Sequence, residues 1–457
     1  MKLKYTLAVG ALALATATQA QNWIPDTINM GANYVNNIYY SFENGQVGAA
    51  VPETNWHIAV QGISFAVPHH GGAGIWTNEA RKNGPAIKLY SLDKNATVDF
   101  LNITAADTVG KTGSILALHN DTSSYANGAF NAAPTSNPFS YGWGNYYMGS
   151  APGGFPDHSV VGDTLFLANL TTSSMGGPAT VSKSFVIWPR VLENGNHWVL
   201  YYRELGSSDV DTIDISTAGS TTLFKYFNIE TGEVLEREPH RESWDFVFTN
   251  YMDLYGSQGM QGVTGALQNY NVSVAQIDNI VPNNANYQSV DSTSYSFNVN
   301  TIGNDWKYLD GGMSWALTQN RSYFMKVLNG DIWQIYFDYF ATVAGDRKIG
   351  FQKRKVYTKP PPPTGVNEVS AFVGNMLVVP NPSVGGSSNL LIDAKKDIQN
   401  AQITIADLSG RVVLKANKNI NAGFQQLRID VSNYPAGVYM VNLAGAGFST
   451  TQKLVVQ

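Results

Sequence analysis

Histidine and methionine are the side chains of this sequence best suited to hold a metal ion. The chain has seven His, ten Met and no Cys, and imidazole is a common ligand for transition metals. His69 and His70 are adjacent in a Gly-rich stretch, where a loop would let both rings reach one ion, as an extended strand would not. Together with His119, near the end of an apparent strand, they are the candidate metal ligands. The alternative interpretation is a solvated loop.

Four further donors lie in segments rich in Gly and aromatic residues. Met148, His158 and Met175 fall in the middle of the first half of the chain, and Met313 lies close to Trp315 in a Gly-Gly-Met-Ser-Trp run. Thioether and imidazole groups both bind iron in an axial position, so these residues are candidates for a cofactor site. The competing interpretation is that a Met in a Gly-rich loop only fills a gap in the packing.

Aromatic residues offer a different chemistry. Trp143, Tyr146 and Tyr147 are close in sequence, and exposed rings of this kind stack on the apolar faces of sugars. Large aromatic side chains also dominate protein cores, so burial is the competing interpretation. The sequence contains no Gly-x-Ser-x-Gly elbow, no His-Glu-x-x-His and no phosphate-binding loop. We therefore expect a protein that is not an enzyme.

The elements that must position these residues are repeated in the sequence. Residues 38–47 read IYYSFENGQV and residues 225–234 read KYFNIETGEV, and Trp56 and Trp244 follow at matching distances. Each copy predicts an aromatic strand, a turn in which Gly supplies a positive φ, and a return strand that begins at the Trp. We expect the two strands of each copy to form a hairpin with a long return arm.

A second hairpin closes each copy. Residues 194–202 read NGNHWVLYY and residues 329–337 read NGDIWQIYF, and Asn-Gly between apolar runs is a strong hairpin signal. The opening and closing patterns together resemble the HmuY family of haem-binding proteins of Bacteroidetes. The resemblance covers about 34–215 and 222–357 as two tandem copies, here called the first repeat and the second repeat.

The resemblance implies antiparallel β-domains that hold haem between loops. The family usually has Asp after the Trp, as at Asp245 of the second repeat, whereas the first repeat has His57. In the family, His or Met residues from loops between the conserved ends bind the iron. Met148, His158, Met175 and Met313 are candidates for this role by residue type and loop position, and no family ligand is aligned to them.

Composition and termini indicate export. Only 14% of the 457 residues are charged, well below the usual quarter. The net charge of −5 with no long basic run excludes nucleic acid as a main partner. Residues 1–20 combine Lys with an apolar run too short to span a bilayer, as in a secretory signal, and no other run predicts a transmembrane segment. Without Cys there is no lipid-modified N-terminal Cys.

The repeats and a Pro-rich run set the expected domain boundaries. We expect a signal peptide at 1–20, the first HmuY-like domain at 21–215, the second at 222–357 and a linker at 358–365. The linker contains four consecutive prolines, which form a semi-rigid spacer. A separate domain at 366–457 follows.

This last domain carries a series of ordered motifs. They include VPNP at 379–382, ITIADLSGRV at 403–412, YPAGVYMV at 434–441 and KLVV at 453–456. The series resembles the type A sorting domain of the Bacteroidetes type IX secretion system. The resemblance implies a β-sandwich, the type IX secretion machinery as a partner, and a location outside the cell or at the outer cell surface.

The sequence thus predicts an all-β protein: two tandem antiparallel β-domains and a C-terminal β-sandwich, with residues 273–280 as the one candidate helix. The predicted function is binding of haem or a related tetrapyrrole in iron acquisition. The partner would be haem or a haem-carrying host or environmental protein. A structural or glycan-binding surface module remains the alternative.

Overall fold

The computed structural model describes residues 22–62, 73–82, 84–133, 135–172, 180–255, 259–311, 314–340, 347–359, 372–408, 410–445 and 448–457. These residues are almost entirely β, as the sequence predicts, and their strands pair in antiparallel sheets. The chain divides into two compact units, the first ending at Lys359 and the second beginning at Pro360. The division falls in the Pro-rich segment, most of which, like residues 1–20, lies outside the described residues.

The strands of the first unit are β1 (Ile24–Asn29), β2 (Asn36–Ser41), β3 (Gly45–Gln46), β4 (Val51–Pro52), β5 (Ile58–Gln61), β6 (Ile75–Thr77), β7 (Ala86–Asn95), β8 (Gly144–Tyr147), β9 (Ser159–Gly162), β10 (Thr164–Thr172), β11 (Thr180–Glu193), β12 (His197–Glu204), β13 (Asp211–Ser216), β14 (Phe224–Asn228), β15 (Glu233–Leu235), β16 (Phe246–Leu254), β17 (Met260–Gln268), β18 (Ser273–Ile277), β19 (Lys307–Asp310), β20 (Ser314–Leu317), β21 (Ser322–Lys326), β22 (Ile332–Phe340) and β23 (Lys348–Tyr357).

Helices in the described residues are single turns. One is α-helical, α1 (Ala96–Asp99), and the others are 3₁₀ turns at Ala32–Tyr34, Glu53–Asn55, Phe100–Asn102, Ala105–Thr108, Ala129–Ala132, Pro152–Gly154, Pro282–Asn284, Tyr287–Ser289 and Ser292–Ser294. The predicted helix at 273–280 is wrong. Its first residues form β18, which pairs with β21 from Ser273 to Ile277. The backbone N–H and C=O groups of this segment form hydrogen bonds with the neighbouring strand, whereas in a helix they would bond to each other.

Each repeat contributes one large sheet. The strand order is β13-β12-β11-β10-β7 in the first repeat and β23-β22-β21-β18 in the second, where β1, which precedes the first repeat in sequence, pairs with β23 at the edge. The predicted closing hairpins are the pairs β11–β12 and β21–β22. Gly195 and Gly330 have positive φ in their turns, which is the conformation that Gly adopts without strain. Trp198 on β12 and Trp333 on β22 are both buried, as the repeat predicts.

Two smaller sheets exchange strands between the repeats. Strand β5 pairs with β14, which places Ala59 opposite Tyr226, and β16 pairs with β2, which places Phe246 opposite Tyr40. The Trp-led strand of each repeat therefore pairs with the aromatic strand of the other repeat. The predicted hairpin within each copy is wrong in this respect, although the tight turns at Gly45 and Gly232 both form with positive φ.

The exchange changes the domain boundaries. Residues 24–46 pack with the large sheet of the second repeat, where Phe42 stacks on Trp333 at 5.2 Å. In the segment 224–235, Phe227 packs in the core of the first repeat and contacts Tyr202 there at 5.7 Å. The expected domains 21–215 and 222–357 are therefore interleaved. Because both copies carry the same strand and turn pattern, sequence spacing cannot decide which copy a strand joins.

The exchanged strands are buried on both faces. Tyr40 and Phe246 point into the core of the second repeat, while their neighbours Tyr39 and Val247 belong to a separate cluster between the two small sheets. Successive side chains of a strand point to opposite faces, so one exchanged strand contributes to two clusters. This middle cluster joins the two repeats into one unit.

The second unit is a β-sandwich, as predicted. Its strands are β24 (Val373–Val384), β25 (Ser387–Ala394), β26 (Ile398–Asp407), β27 (Val412–Ile420), β28 (Gly423–Asp430), β29 (Gly437–Gly445) and β30 (Phe448–Val456). One sheet has the order β24-β25-β28 and the other β27-β26-β29-β30. Leu390, Ile405 and Val441 are among the apolar residues of the core. They alternate with less buried residues along each strand, which is the pattern of a sandwich.

Candidate ligand-binding groove

A groove opens in the first unit between β17, the β19–β20 ribbon and the end of β22. Part of it is a cleft of about 330 Å³, here called the lysine cleft. The residues of the lysine cleft used below are Tyr34, Lys82, Thr264, Lys307, Trp315 and Phe340. A second cleft of about 630 Å³, the polar cleft, shares Tyr255, Asn304 and Lys307 with it. The two clefts therefore adjoin at these residues, and together they are here called the groove.

Lys307 lies where the two clefts meet and is only 4% exposed. Its Nζ donates hydrogen bonds to the carbonyl oxygens of Thr264 and, at 3.3 Å, of Asn304. The ammonium also lies 4.4 Å from the ring centroid of Trp306 and 5.5 Å from that of Trp315, which is cation–π distance. Burial lowers the pKa of Lys307 to about 7, and repulsion from Lys82 acts in the same direction.

Lys82 approaches the same point from the loop after β6. Its Nζ donates to Oγ1 of Thr264 at 2.6 Å and lies 5.4 Å from the ring centroid of Tyr34. Burial of the ammonium lowers the pKa of Lys82 to about 8, and nearby Glu53 only partly opposes this. The carboxylate of Glu53 instead accepts from the backbone N–H of Lys82 and from Asn250 Nδ2.

Three aromatic rings form one wall of the lysine cleft. Tyr34 and Phe340 stack with centroids 5.3 Å apart and planes 9° from parallel. Trp315 meets Phe340 edge to face at 5.5 Å, and 41% of Trp315 remains exposed. An isolated two-stranded ribbon such as β19–β20 is marginally stable, so these ring contacts help to hold it. The result is a half-exposed indole fixed at the edge of a cleft.

The polar cleft presents amide and carboxylate groups. Asn304 Nδ2 donates to Oδ2 of Asp253 at 3.0 Å, and Tyr308 is 47% exposed at the rim. Asn300 and Thr301 also line this cleft. Donors and acceptors of this kind suit a ligand with many hydroxyl groups, because each hydroxyl both donates and accepts.

A third cavity lies between the two exchanged sheets. It has a volume of about 90 Å³, which is room for several water molecules. Trp56 meets Tyr226 edge to face at 4.9 Å, and Trp244 meets Tyr39 in the same way at 5.1 Å. Burial raises the pKa of Glu238, which also lines the cavity, to about 7. The cavity marks the junction of the two repeats and is smaller than either cleft of the groove.

The predicted metal ligands do not form a site among the described residues. His119 Nδ1 lies 2.5 Å from Oε2 of Glu79, within hydrogen-bond distance of this carboxyl group. The described residues contain no group of three His, Asp or Glu side chains placed to hold a metal. His69 and His70 lie outside the described residues.

The predicted cofactor-binding residues are only partly brought together. Tyr147 pairs with Ser159 across β8 and β9, which places Met148 and His158 next to each other at the end of this hairpin. Met148 is 71% exposed, and His158 Nδ1 is 2.5 Å from the hydroxyl of Tyr146. Neither residue lines the groove or the middle cavity. Met175 and Met313 lie outside the described residues.

Of the residues considered for sugar stacking, Trp143 agrees with the competing interpretation, which is burial in a core. Trp143 is fully buried, donates from Nε1 to the carbonyl of Ala73 at 2.8 Å, and packs in the core of the first repeat. Tyr146 packs against that core. The sequence did not indicate Lys82 and Lys307, and it indicated Trp315 only as a neighbour of Met313. The sequence signal of the two lysines is weak, because nothing near a lysine in sequence shows that its ammonium will be buried.

Comparison with known proteins identifies one segment of the chain. Residues 377–457 match the family model described as "Secretion system C-terminal sorting domain". No curated protein is similar enough to count as a match. One of the solved structures that align is titled "Crystal structure of dimeric latent PorU from Porphyromonas gingivalis". It shares 12% identity over 65% of this chain and 26% of that chain, with a TM-score of 0.16, an overlap too weak to support any conclusion about fold.

The sorting domain establishes where the protein goes. A type IX sorting tail indicates export by the type IX secretion system to the cell surface or outside, and the secretion machinery is then a partner. In the part of the chain that the structure describes, we find no helix long and apolar enough to cross a membrane.

Proposed function

We propose that this exported protein is a binding protein without catalytic activity, and that the groove of its first unit binds a glycan. The observation that carries the proposal is the half-exposed indole of Trp315, held against Phe340 at the edge of a groove. A fixed indole offers a flat apolar surface at little cost in conformational entropy.

Both clefts of the groove match parts of a sugar. The apolar face of a sugar ring would lie on Trp315, while its hydroxyls would reach the amide of Asn304, which lines both clefts. The two clefts share residues, so adjacent sugar units of one chain would occupy both. Sites of this kind combine an apolar wall with a few placed polar groups.

Haem binding has less support from the described residues. Met148 and His158 are adjacent, but they lie at the end of an open hairpin, and His119 is paired with Glu79. Trp315 would also suit a flat porphyrin, since an exposed indole stacks on any flat ring. Haem therefore remains a prediction from the sequence, and it serves as a competing probe in the experiment below.

The experiment measures retardation of the purified full-length chain in native gels that contain a polysaccharide. The probes are polygalacturonate, dextran, xyloglucan and dextran sulfate. We expect at least one to retard the chain, and we expect Trp315→Ala to weaken that binding about tenfold through loss of the stacking surface. Phe139→Ala is the matched control, since Phe139 is also an exposed aromatic residue (58%) but does not line the groove.

Two results would overturn the proposal. One is that no polysaccharide retards the chain. The other is that Trp315→Ala and Phe139→Ala bind as the unchanged protein does. A parallel titration with ferric haem distinguishes haem binding from glycan binding. A shifted, sharpened Soret band without polysaccharide binding would favour the haem prediction.

A further inference from the structure

Two ammonium groups converge on one residue in the lysine cleft. Lys82 donates to the side-chain oxygen of Thr264 and Lys307 donates to its carbonyl oxygen. The two positive charges repel each other, and this repulsion contributes to the lowered pKa of Lys307. Among the described residues, neither ammonium has a carboxylate oxygen within 4.0 Å. Among the described residues, the cleft therefore brings two basic amino groups together with no carboxylate oxygen at this distance.

The acidic groups that act on this pair, Glu53 and Asp305, also have other partners. Both carboxylate oxygens of Glu53 accept other hydrogen bonds, and burial raises the pKa of Glu53, which favours its neutral form. Asp305 forms an ion pair with Arg321 at 2.7 Å. The guanidinium of Arg347, 5.3 Å from the ring centroid of Tyr34, adds a third positive charge to this side of the protein.

Hydrogen-bonding capacity is also left over. An ammonium has three donors. Lys82 uses one on Thr264, and Lys307 uses two on carbonyl oxygens. The remaining donors have no partner among the described residues. They adjoin the ring wall of Tyr34, Phe340 and Trp315, so an occupant should carry negative charge on one side and an apolar face on the other.

We propose that the lysine cleft binds the anionic group, a carboxylate or a sulfate ester, of an acidic sugar whose ring lies on Trp315. The inference rests on the proposed glycan-binding function and specifies its ligand class. An anion between Lys82 and Lys307 relieves their repulsion, and hydrogen bonds to charged groups in a partly buried site are stronger than neutral ones. Neutral sugars would lack this contribution.

The experiment compares ligands that differ only in charge. Polygalacturonate is paired with its fully methyl-esterified form, and dextran sulfate with dextran, so that carboxylate and sulfate are tested separately. We expect each acidic ligand that binds to bind at least tenfold more tightly than its neutral partner. We expect Lys82→Met to reduce the preference for the acidic ligand about tenfold. Lys307→Met should have the same effect, provided that this variant folds.

The matched control is Lys88→Met, which removes an exposed lysine of β7 outside the groove. If Lys88→Met weakens binding as much as Lys82→Met, the preference reflects net charge and the inference fails. If acidic and neutral ligands bind equally and Trp315→Ala still weakens both, the inference fails while the glycan proposal stands. If no polysaccharide binds at all, the glycan proposal fails and the inference fails with it.

Discussion

The two repeats have the same elements but hold each other's strands. In the first repeat Trp56 contacts Tyr226 of the second, and Trp244 of the second contacts Tyr39 of the first, with nearly equal geometry: 4.9 Å and 80° against 5.1 Å and 69°. The contact that the sequence repeats is thus made twice, each time across the repeats. A tandem repeat in sequence therefore does not imply two successive domains in space.

The repeats differ at the residue that follows each Trp. Asp245 accepts a hydrogen bond from the backbone of Phe42, and burial raises its pKa to about 6. His57 occupies the equivalent place, 1% exposed and near Glu230, and burial lowers its pKa to about 4. The second repeat also carries the β19–β20 ribbon and with it most of the groove. A shared framework has therefore acquired different chemistry in its two copies.

The largest expected effect comes from cutting the chain between the repeats, at the boundary that the sequence suggests. Residues 22–215 lack β14 and residues 216–359 lack β2, so we expect each fragment alone to fail to fold. Mixed or co-expressed, the two fragments should assemble, because each supplies the strands that the other lacks. Circular dichroism and size-exclusion chromatography measure this, with residues 22–359 as the control. Independent, cooperative folding of 22–215 would contradict the strand exchange.

Truncating the two equivalent Trp residues should cost unequal stability. Trp244 is 3% exposed, whereas Trp56 is only partly buried. We expect Trp244→Ala to lower the free energy of unfolding by about 3–5 kcal/mol, as for core aromatic residues. Trp56→Ala should cost clearly less. Urea unfolding of both variants gives the comparison, and equal losses would show that the two sites are buried alike.

Acidification should act on the two repeats with opposite signs. The pKa of Asp245 is raised in the folded state, so the folded state binds protons more readily and Asp245 adds stability as the pH falls from about 6 to about 4. The pKa of His57 is lowered, so the unfolded state binds the proton first and stability is lost between about 6.5 and about 4. Each unit of pKa difference corresponds to about 1.4 kcal/mol.

Two conservative variants test this sign. In the unchanged chain, protonation of Asp245 raises the free energy of unfolding between pH 7 and pH 4.5, and the Asp245→Asn variant should lack this increase. The buried neutral His57 lowers the free energy of unfolding over the same interval, and the His57→Gln variant should lack this decrease. Urea titrations at pH 4.5, 5.5 and 7 measure both. If the two variants change the pH dependence of the unfolding free energy in the same direction, the directions of the two pKa shifts are incorrect.

The smallest expected effect is at the paired turns. Gly45 and Gly232 have φ of 75° and 74°, and an added Cβ would meet no close atom at either. Gly45→Ala and Gly232→Ala should therefore each cost only the strain of a left-handed residue, about 1 kcal/mol. Thermal unfolding measures both, and a difference of more than about 1 kcal/mol between them would show that the turns are not equivalent.

Much of the fold was predictable because it depends on local patterns. Gly45 and Gly232 are where the turns form, Trp198 and Trp333 are buried on closing hairpins, and the C-terminal motifs lie on a sandwich. Residues 273–280 were misread because a short polar and apolar mixture has no clear period, and its pairing with β21 decided the outcome. Of the residues that line the groove, the sequence indicates Trp315, but as a neighbour of the candidate haem ligand Met313.

The sequence by itself determined the all-β class, the repeat, the turns and the export signal, since each of these follows from neighbouring residues or from a contiguous series of motifs. Only the tertiary structure decided which repeat each strand joins. The local sequence pattern of β2 would allow it to pair with either β5 or β16. The tertiary structure also decided the site. Lys82 and Lys307 lie 225 positions apart in the sequence, and their charges meet only because the loop after β6 and the ribbon β19–β20 converge on Thr264.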